Sequence, residues 1–356
     1  MQALVPCIEY ISFMAKPHFL VLTVLALATL ACHTNNQKSP PPAAASSEQR
    51  ILHLRELTSR QIKGLDKAKT VVLIPGGILE AHGPYLPIFS DGYWNQKLTD
   101  TLAQAIATQL PWQVVVFPVI PLGNSGANDI GGNYAVAGTY SVRFETLRAV
   151  FMDLGTELGE QGFRHIVVVH GHGAPMHQRA LDQAAAFFED TYGGQMLNLM
   201  GLQTVMSTWF EAPKTAQQQA EDGLSVHAGL AETSSMLYLV PTLVDPRYAQ
   251  APPITGTHME TLVRHAQQPS WPGYFGSPRL ASRAYGRTAW RQNAAVYTRL
   301  VLDILTKKIN PDTLAHFGDA MAHDVVNSWL DSLSLREERR RQQQQADWLA
   351  KQDLLR

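Results

Sequence analysis

The sequence predicts an α/β fold, a layered α/β/α arrangement around a mainly parallel sheet. Short apolar runs at Val71 to Ile74, Val114 to Ile120 and Ile166 to Val169 read as buried strands. They alternate with helical patterns at about Tyr93 to Gln109, Arg143 to Gln161, Met176 to Thr191 and Arg291 to Lys307. Polar residues able to bind metal collect just after two of these strands, which suits the carboxyl ends of a parallel sheet.

Taken from the N-terminus, Phe19 to Ala31 is an apolar run of signal-peptide length, preceded by Lys16 and followed by Cys32, and shorter than a membrane span. Residues 1–32 therefore read as a signal resembling that of a bacterial lipoprotein, with Cys32 as the lipidation site. Thr29-Leu30-Ala31-Cys32 lacks the usual large aliphatic residue three before the cysteine, and Met14 is a more typical start than Met1. An ordinary cleaved signal with an incidental cysteine is the competing reading. After cleavage Cys32 is the single thiol, so no intrachain disulfide is expected. The implied location is the periplasmic side of the cell envelope, with membrane contact only through the lipid. Residues 33–49 are mostly Pro, Ala, Ser, Asn and Gln and read as a flexible tether.

Residues 50–310 carry the strand and helix alternation and are expected to be the catalytic domain. Residues 311–356 read as a helical extension. The charged run Arg336 to Arg341 and the polar run Gln342 to Gln345 make its end a solvent-facing helix or an oligomer contact. The whole chain of 356 residues is 45% hydrophobic and 17% charged, ordinary for a globular protein and too apolar for disorder. Its net charge of −1 and the lack of a basic stripe with interleaved aromatics argue against a nucleic-acid partner.

Chemistry concentrates in three segments. In Ile74 to Asp91 the apolar run breaks at Pro75-Gly76-Gly77, leaving Glu80, His82 and Asp91 on a turn-rich loop. Glu80 and His82 are two apart, so an extended backbone points both the same way, and the loop from Gly83 to Ser90 returns Asp91. The second segment leaves the strand Ile166 to Val169 through His170-Gly171-His172-Gly173. In the third, His227 precedes an apolar helix with Glu232 in its first turn. Any one of these residues alone reads as an ordinary loop or cap residue, and Glu232 also suits a helix N-terminus for electrostatic reasons. Together they read as a metal site. His165, His177, His258, His265, His316 and His323 lack such surroundings and are expected at the surface or in packing.

On these motifs the chain resembles the creatininase family of metal-dependent amidohydrolases. The family's Pro-x-Gly-x-x-Glu-x-His-Gly-x-x-Leu-Pro pattern, followed by Asp, falls on Pro75, Gly77, Glu80, His82, Gly83, Leu86, Pro87 and Asp91. Its Gly-His-Gly turn falls on Gly171 to Gly173, and its His-Ala-Gly-x-x-Glu-Thr-Ser segment on His227 to Ser234. Weaker echoes are Gly123-Asn124-Ser125, Gly138-Thr139 and Gly276-Ser277-Pro278. The resemblance implies two divalent ions, zinc, manganese or iron, with Asp91 bridging, Glu80 and His172 on one ion and His82 on the other. It further implies His227 as the proton shuttle, Ser125 and Gly173 near the substrate, and a homo-oligomer.

Family members acting on creatinine carry Tyr and a metal-binding Glu directly after the Gly-His pair. This chain has Gly173 and Ala174 there, so Glu232 becomes the candidate for completing the second ion, and creatinine itself becomes a poor expectation as substrate. His170 stands where the family usually has Asn and reads equally as a supporting group or an added ligand. The leading expectation is hydrolysis of a non-peptide carbon–nitrogen bond in a small amide, cyclic ones included. Formamide or short-peptide cleavage, and a non-catalytic envelope lipoprotein that uses the scaffold for binding, are the alternatives.

Overall fold

The computed structural model describes residues 46–352; the expected signal, Cys32 and most of the expected tether lie outside the described residues. Five strands, β1 (Ile51–His53), β2 (Thr70–Pro75), β3 (Gln113–Val116), β4 (His165–Val169) and β5 (Gln195–Asn198), form one parallel sheet in the order β1-β3-β2-β4-β5. The alternation of the strand sends Val71 and Leu73 to one face and Val72 and Ile74 to the other. On the first face they pack with Trp94, Leu98 and Leu102 of the helix Ser90–Gln109 and with Tyr297 and Val301 of the helix Arg283–Leu305. On the second they meet Phe151 of the helix Phe144–Glu160 and Leu181 and Phe188 of the helix Pro175–Tyr192. The expected α/β/α layering is thus the observed one.

Element ends differ from expectation for identifiable reasons. The run expected to reach Ile120 leaves the ladder after Val116, because Pro118 has no N–H to give a sheet. The helix expected from Arg291 begins at Arg283, where the Ser282 hydroxyl accepts from the Tyr285 N–H at 3.1 Å. Its first turns contain Gly286, whose lack of a side chain lets this helix lie against Leu230–Leu239: a Cβ there would sit 2.0 Å from the Ser234 carbonyl oxygen. Strands β1 and β5 are three and four residues long, too short to show an alternation in sequence.

β2 and β4 end together, with Pro75 paired to Val169, and the chain order places the switch between outward-running halves of the sheet at this pair. Loops leaving a parallel sheet at such a point face a common crevice. The C-terminal segment also reaches this crevice. Its helix Val325–Lys351 lies exposed from Gln342 onward, as expected, but its earlier part is pinned to the domain. Glu338 accepts from Asn124 Nδ2 at 2.6 Å and from the Phe144 N–H at 3.0 Å, and Arg341 donates to the Tyr134 carbonyl at 2.7 Å. No helix among the described residues is long and apolar enough to cross a membrane.

Candidate metal centre

The two strand exits are tied to each other before any functional side chain is placed. Asn95 Nδ2 donates to both the Gly76 and Gly171 carbonyls at 3.0 Å, and the His170 ring fills the space above Gly76, where a Cβ would come within 1.8 Å of His170 Cδ2. The Glu80 N–H donates to the Ile88 carbonyl and the Ala81 N–H to Thr139 Oγ1, so the Gly138-Thr139 echo serves to hold the ligand loop. Asp91 sits in the first turn of the helix Ser90–Gln109, where the helix dipole favours a carboxylate. Gln178 fixes the other loop by donating to the His172 carbonyl at 2.9 Å.

Glu80, Asp91 and His172 form one group able to hold a cation, and His82, Asp91 and Glu232 form a second. The hydrogen bonds of the rings set which nitrogen faces each group. His82 Nδ1 donates to the Glu80 carbonyl at 3.0 Å, leaving Nε2 to face Asp91 Oδ1 at 3.5 Å and Glu232 Oε2 at 3.6 Å. His172 Nε2 donates to the Ser125 carbonyl at 2.7 Å, leaving Nδ1 to face Asp91 Oδ2 at 3.1 Å and Glu80 Oε2 at 3.3 Å. Asp91 thus presents one oxygen to each imidazole.

A buried lone pair aimed at carboxylates is unfavourable until a positive charge lies between them. The metal-free chain can meet that demand with protons. Burial opposes charging of His82, but Asp91, Glu80 and Glu232 outweigh it and raise its pKa to about 10. His172 is raised to about 9 against the same burial by Glu80 and Asp91. Burial also works against Asp91, whose pKa the two imidazoles still hold below the carboxylate range. Glu232 moves up to about 7, burial first, with His82 opposing. His82 Nε2 and Glu80 Oε2 have no hydrogen-bond partner, so the residues present fit divalent ions with mixed nitrogen and oxygen ligands.

His227 occupies a different position. Its Nε2 donates to the Ala81 carbonyl at 2.8 Å, and its Nδ1 lies 3.8 Å from Glu80 Oε1, an oxygen that already accepts from the Ala127 N–H. Burial lowers its pKa to about 4, so the ring is neutral with a free Nδ1 beside the cavity. His227 also falls within reach of Glu80 and His82 as a third ligand-bearing group. Glu232, in the first turn of its helix, accepts from the Ala228 N–H at 2.7 Å with one oxygen that also faces His82. Its helix-capping and metal-facing roles therefore coexist.

The ligand reading of His170 is overturned. The Asn124 N–H donates to His177 Nδ1 at 3.2 Å, His177 Nε2 lies 3.0 Å from His170 Nδ1, and His170 Nε2 lies 3.1 Å from the Ile120 carbonyl and 3.2 Å from the Gly77 N–H. Both nitrogens of His170 are consumed away from the carboxylates. His177, expected in packing, is its fully buried partner.

A cavity of about 280 Å³ opens over the cluster. Ser125 and Gly173 line it, as expected; the Ser125 hydroxyl donates to Asp129 Oδ2 at 3.1 Å while its carbonyl steadies His172. Sequence reasoning missed Asp129 and the residues the C-terminal segment brings, among them Phe317, Met321, Leu330, Asp331 and Ser334. Asn327, Leu330, Asp331 and Ser334 recur three and four apart, a helical stripe that stands out only once the helix is known to be docked.

The family model described as creatinine amidohydrolase matches residues 55–301. The creatinine amidohydrolase of Pseudomonas putida is 29% identical over 230 residues, 61% of this chain and 82% of that protein. The mycofactocin precursor peptide peptidase of Mycolicibacterium smegmatis is 26% identical over 184 residues, 52% of this chain and 62% of that protein. Among solved structures, a manganese creatininase superposes with a TM-score of 0.53 at 21% identity, covering 72% of this chain and 99% of its own. A zinc–zinc form of a mutant creatininase gives 0.53 at 21%, covering 73% and 99%. These likenesses fix the fold, and the family match includes every residue of the carboxylate and imidazole cluster: the chain belongs to the creatininase family of metal-dependent amidohydrolases.

Proposed function

We propose that the protein hydrolyses a non-peptide carbon–nitrogen bond in a small amide, cyclic amides included, using two divalent ions. Glu80, His172 and Asp91 would hold one, and His82, Glu232 and the same Asp91 would hold the other. The observation that carries this reading is the division of Asp91, with one oxygen 3.5 Å from His82 Nε2 and the other 3.1 Å from His172 Nδ1. Such ions would polarise a carbonyl and make water nucleophilic near neutral pH. The protein's own part is to hold the two carboxylate pairs fixed and to move protons. His227 is oriented by the Ala81 carbonyl, and its free Nδ1 accepts a proton beside the cavity and returns it to the leaving nitrogen.

Peptide-processing relatives favour a second reading, cleavage of a short peptide. A screen of the purified protein against lactams, formamides and short peptides, with metal analysis alongside, separates these readings. Turnover of lactams with about two ions per chain supports the first, peptide turnover the second, and neither ions nor turnover would favour a binding lipoprotein. For location, we propose lipidation at Cys32, tested by fractionation: the wild type should partition with membranes and Cys32→Ser should be released or left unprocessed. A homo-oligomer is part of the same proposal and is read from solution mass.

A further inference from the structure

We propose that the segment from Phe317 to Ser334 is the wall that selects the substrate, accepting an amide with a neutral or cationic apolar group and rejecting anionic ones. This rests on the hydrolase reading of the cluster. The ligand-bearing floor of the cavity lies within the family match, which ends at residue 301, whereas this wall comes wholly from beyond it. Phe317, Met321 and Leu330 give it an apolar face, and Leu224 and Met259 add to the apolar lining. An amide seated on the cluster would extend an apolar substituent along this face.

The charges around the cavity are one-sided. Glu80, Asp91, Asp129, Glu232 and Asp331 line it, and among the described residues no lysine or arginine does. Arg179, beside the wall, donates to Asp331 Oδ2 at 3.3 Å, so its charge is spent there. Two ions on the floor would neutralise the ligand carboxylates, while Asp129 and the Asp331–Arg179 pair remain on the cavity wall. A substrate carboxylate there meets Asp129 and the Asp331–Arg179 pair, with no unpaired cation among the described residues lining the cavity to receive it. The wall is held in register because Ser334 donates to Asp129 Oδ2 at 3.2 Å and Glu338 is anchored to Asn124 and Phe144.

The test uses the full chain loaded with cobalt(II) and hydroxamates, which chelate a metal through one end and report on the wall through the other. Dissociation constants for acetohydroxamate, hexanohydroxamate and succinate monohydroxamate are read from the visible cobalt spectrum, without any turnover. The wild type should bind the hexanoyl compound roughly tenfold or more tighter than the acetyl compound, since several methylenes leave water. It should bind the succinyl compound more weakly than either. Leu330→Asp and, as a second variant that fills the space with an apolar group, Leu330→Trp should each cut the hexanoyl-to-acetyl ratio severalfold while retaining cobalt. Asp331→Asn, by freeing Arg179, should narrow the succinyl penalty. A ratio unchanged in both Leu330 variants, or a succinyl compound bound as well as the hexanoyl one, overturns the proposal. A wild type that takes up no cobalt overturns the metal reading itself, and the wall falls with it; cobalt content tells the two failures apart.

Discussion

His82 and His172 on one side, and His170 and His177 on the other, are four imidazoles buried to within 4% of full burial and packed around the same two strand exits. The first pair faces Asp91, Glu80 and Glu232, and their charge draws positive charge into the site. The ring nitrogens of the second pair meet only each other and backbone groups, so burial dominates: His170 is pushed down to about 4 and His177 well below its usual value. Burial alone makes histidine a neutral packing group. Carboxylates aimed at its lone pair make it a ligand.

The largest expected effect breaks the first pair at its shared point. Asp91→Ala should take the protein from about two divalent ions per chain to none, measured by metal analysis, because both sites lose an oxygen at once. Retention of full occupancy would sink the bridge. His172→Ala should lose metal and activity together. His227→Ala, by contrast, should keep its metals and lose about 10²–10⁴ in turnover with little change in substrate affinity. An emptied site in that variant would make His227 a ligand, and the proton-shuttle role would be wrong.

The contrast sharpens in pH. For the metal-free chain, His82 and His172 have folded-state values of about 10 and 9, above the ordinary 6.5, so their contribution to stability is fully present below 6.5 and lost as pH rises through 9 and 10. His170 titrates in the other direction. Its folded value of about 4 lies below 6.5, so its contribution is present above 6.5 and lost as pH falls toward 4. Thermal melts of the metal-free protein should therefore weaken on both sides of neutrality, with Asp91→Ala flattening the alkaline limb and His170→Asn the acidic one. Saturating metal should suppress the alkaline loss, since an ion replaces the protons. The smallest effect is on stability alone: His177→Ala should keep its ions and cost about 1–3 kcal/mol, the penalty for leaving buried partners unsatisfied, as measured by denaturant unfolding.

Much of this was legible in sequence because the chemistry is local. Glu80, His82 and Asp91 share one loop, His172 follows an apolar strand, and Glu232 follows His227 at a helical spacing, so short motifs already imply a common pocket. His170 was ambiguous for the opposite reason: its role depends on His177, Asn124 and Ile120, which only the folded chain brings to it. Asp129 and Ser334 likewise acquire meaning from each other across the fold. The docking of the C-terminal helix leaves no trace in the sequence because its only buried residue is a serine, which gives no apolar periodicity.

That same helix is fastened by hydrogen bonds between residues 205, 207 and 214 positions apart, Ser334 to Asp129, Arg341 to Tyr134 and Asn124 to Glu338. Such closures form after the local ones and are backed here by little buried apolar surface, so the helix belongs to the low-free-energy end of the molecule's local openings. The sheet below it, with Val71 to Ile74 wholly buried, opens only with the whole domain. The wall over the site thus rests on a few polar fastenings, while the ligands beneath it rest on a buried sheet.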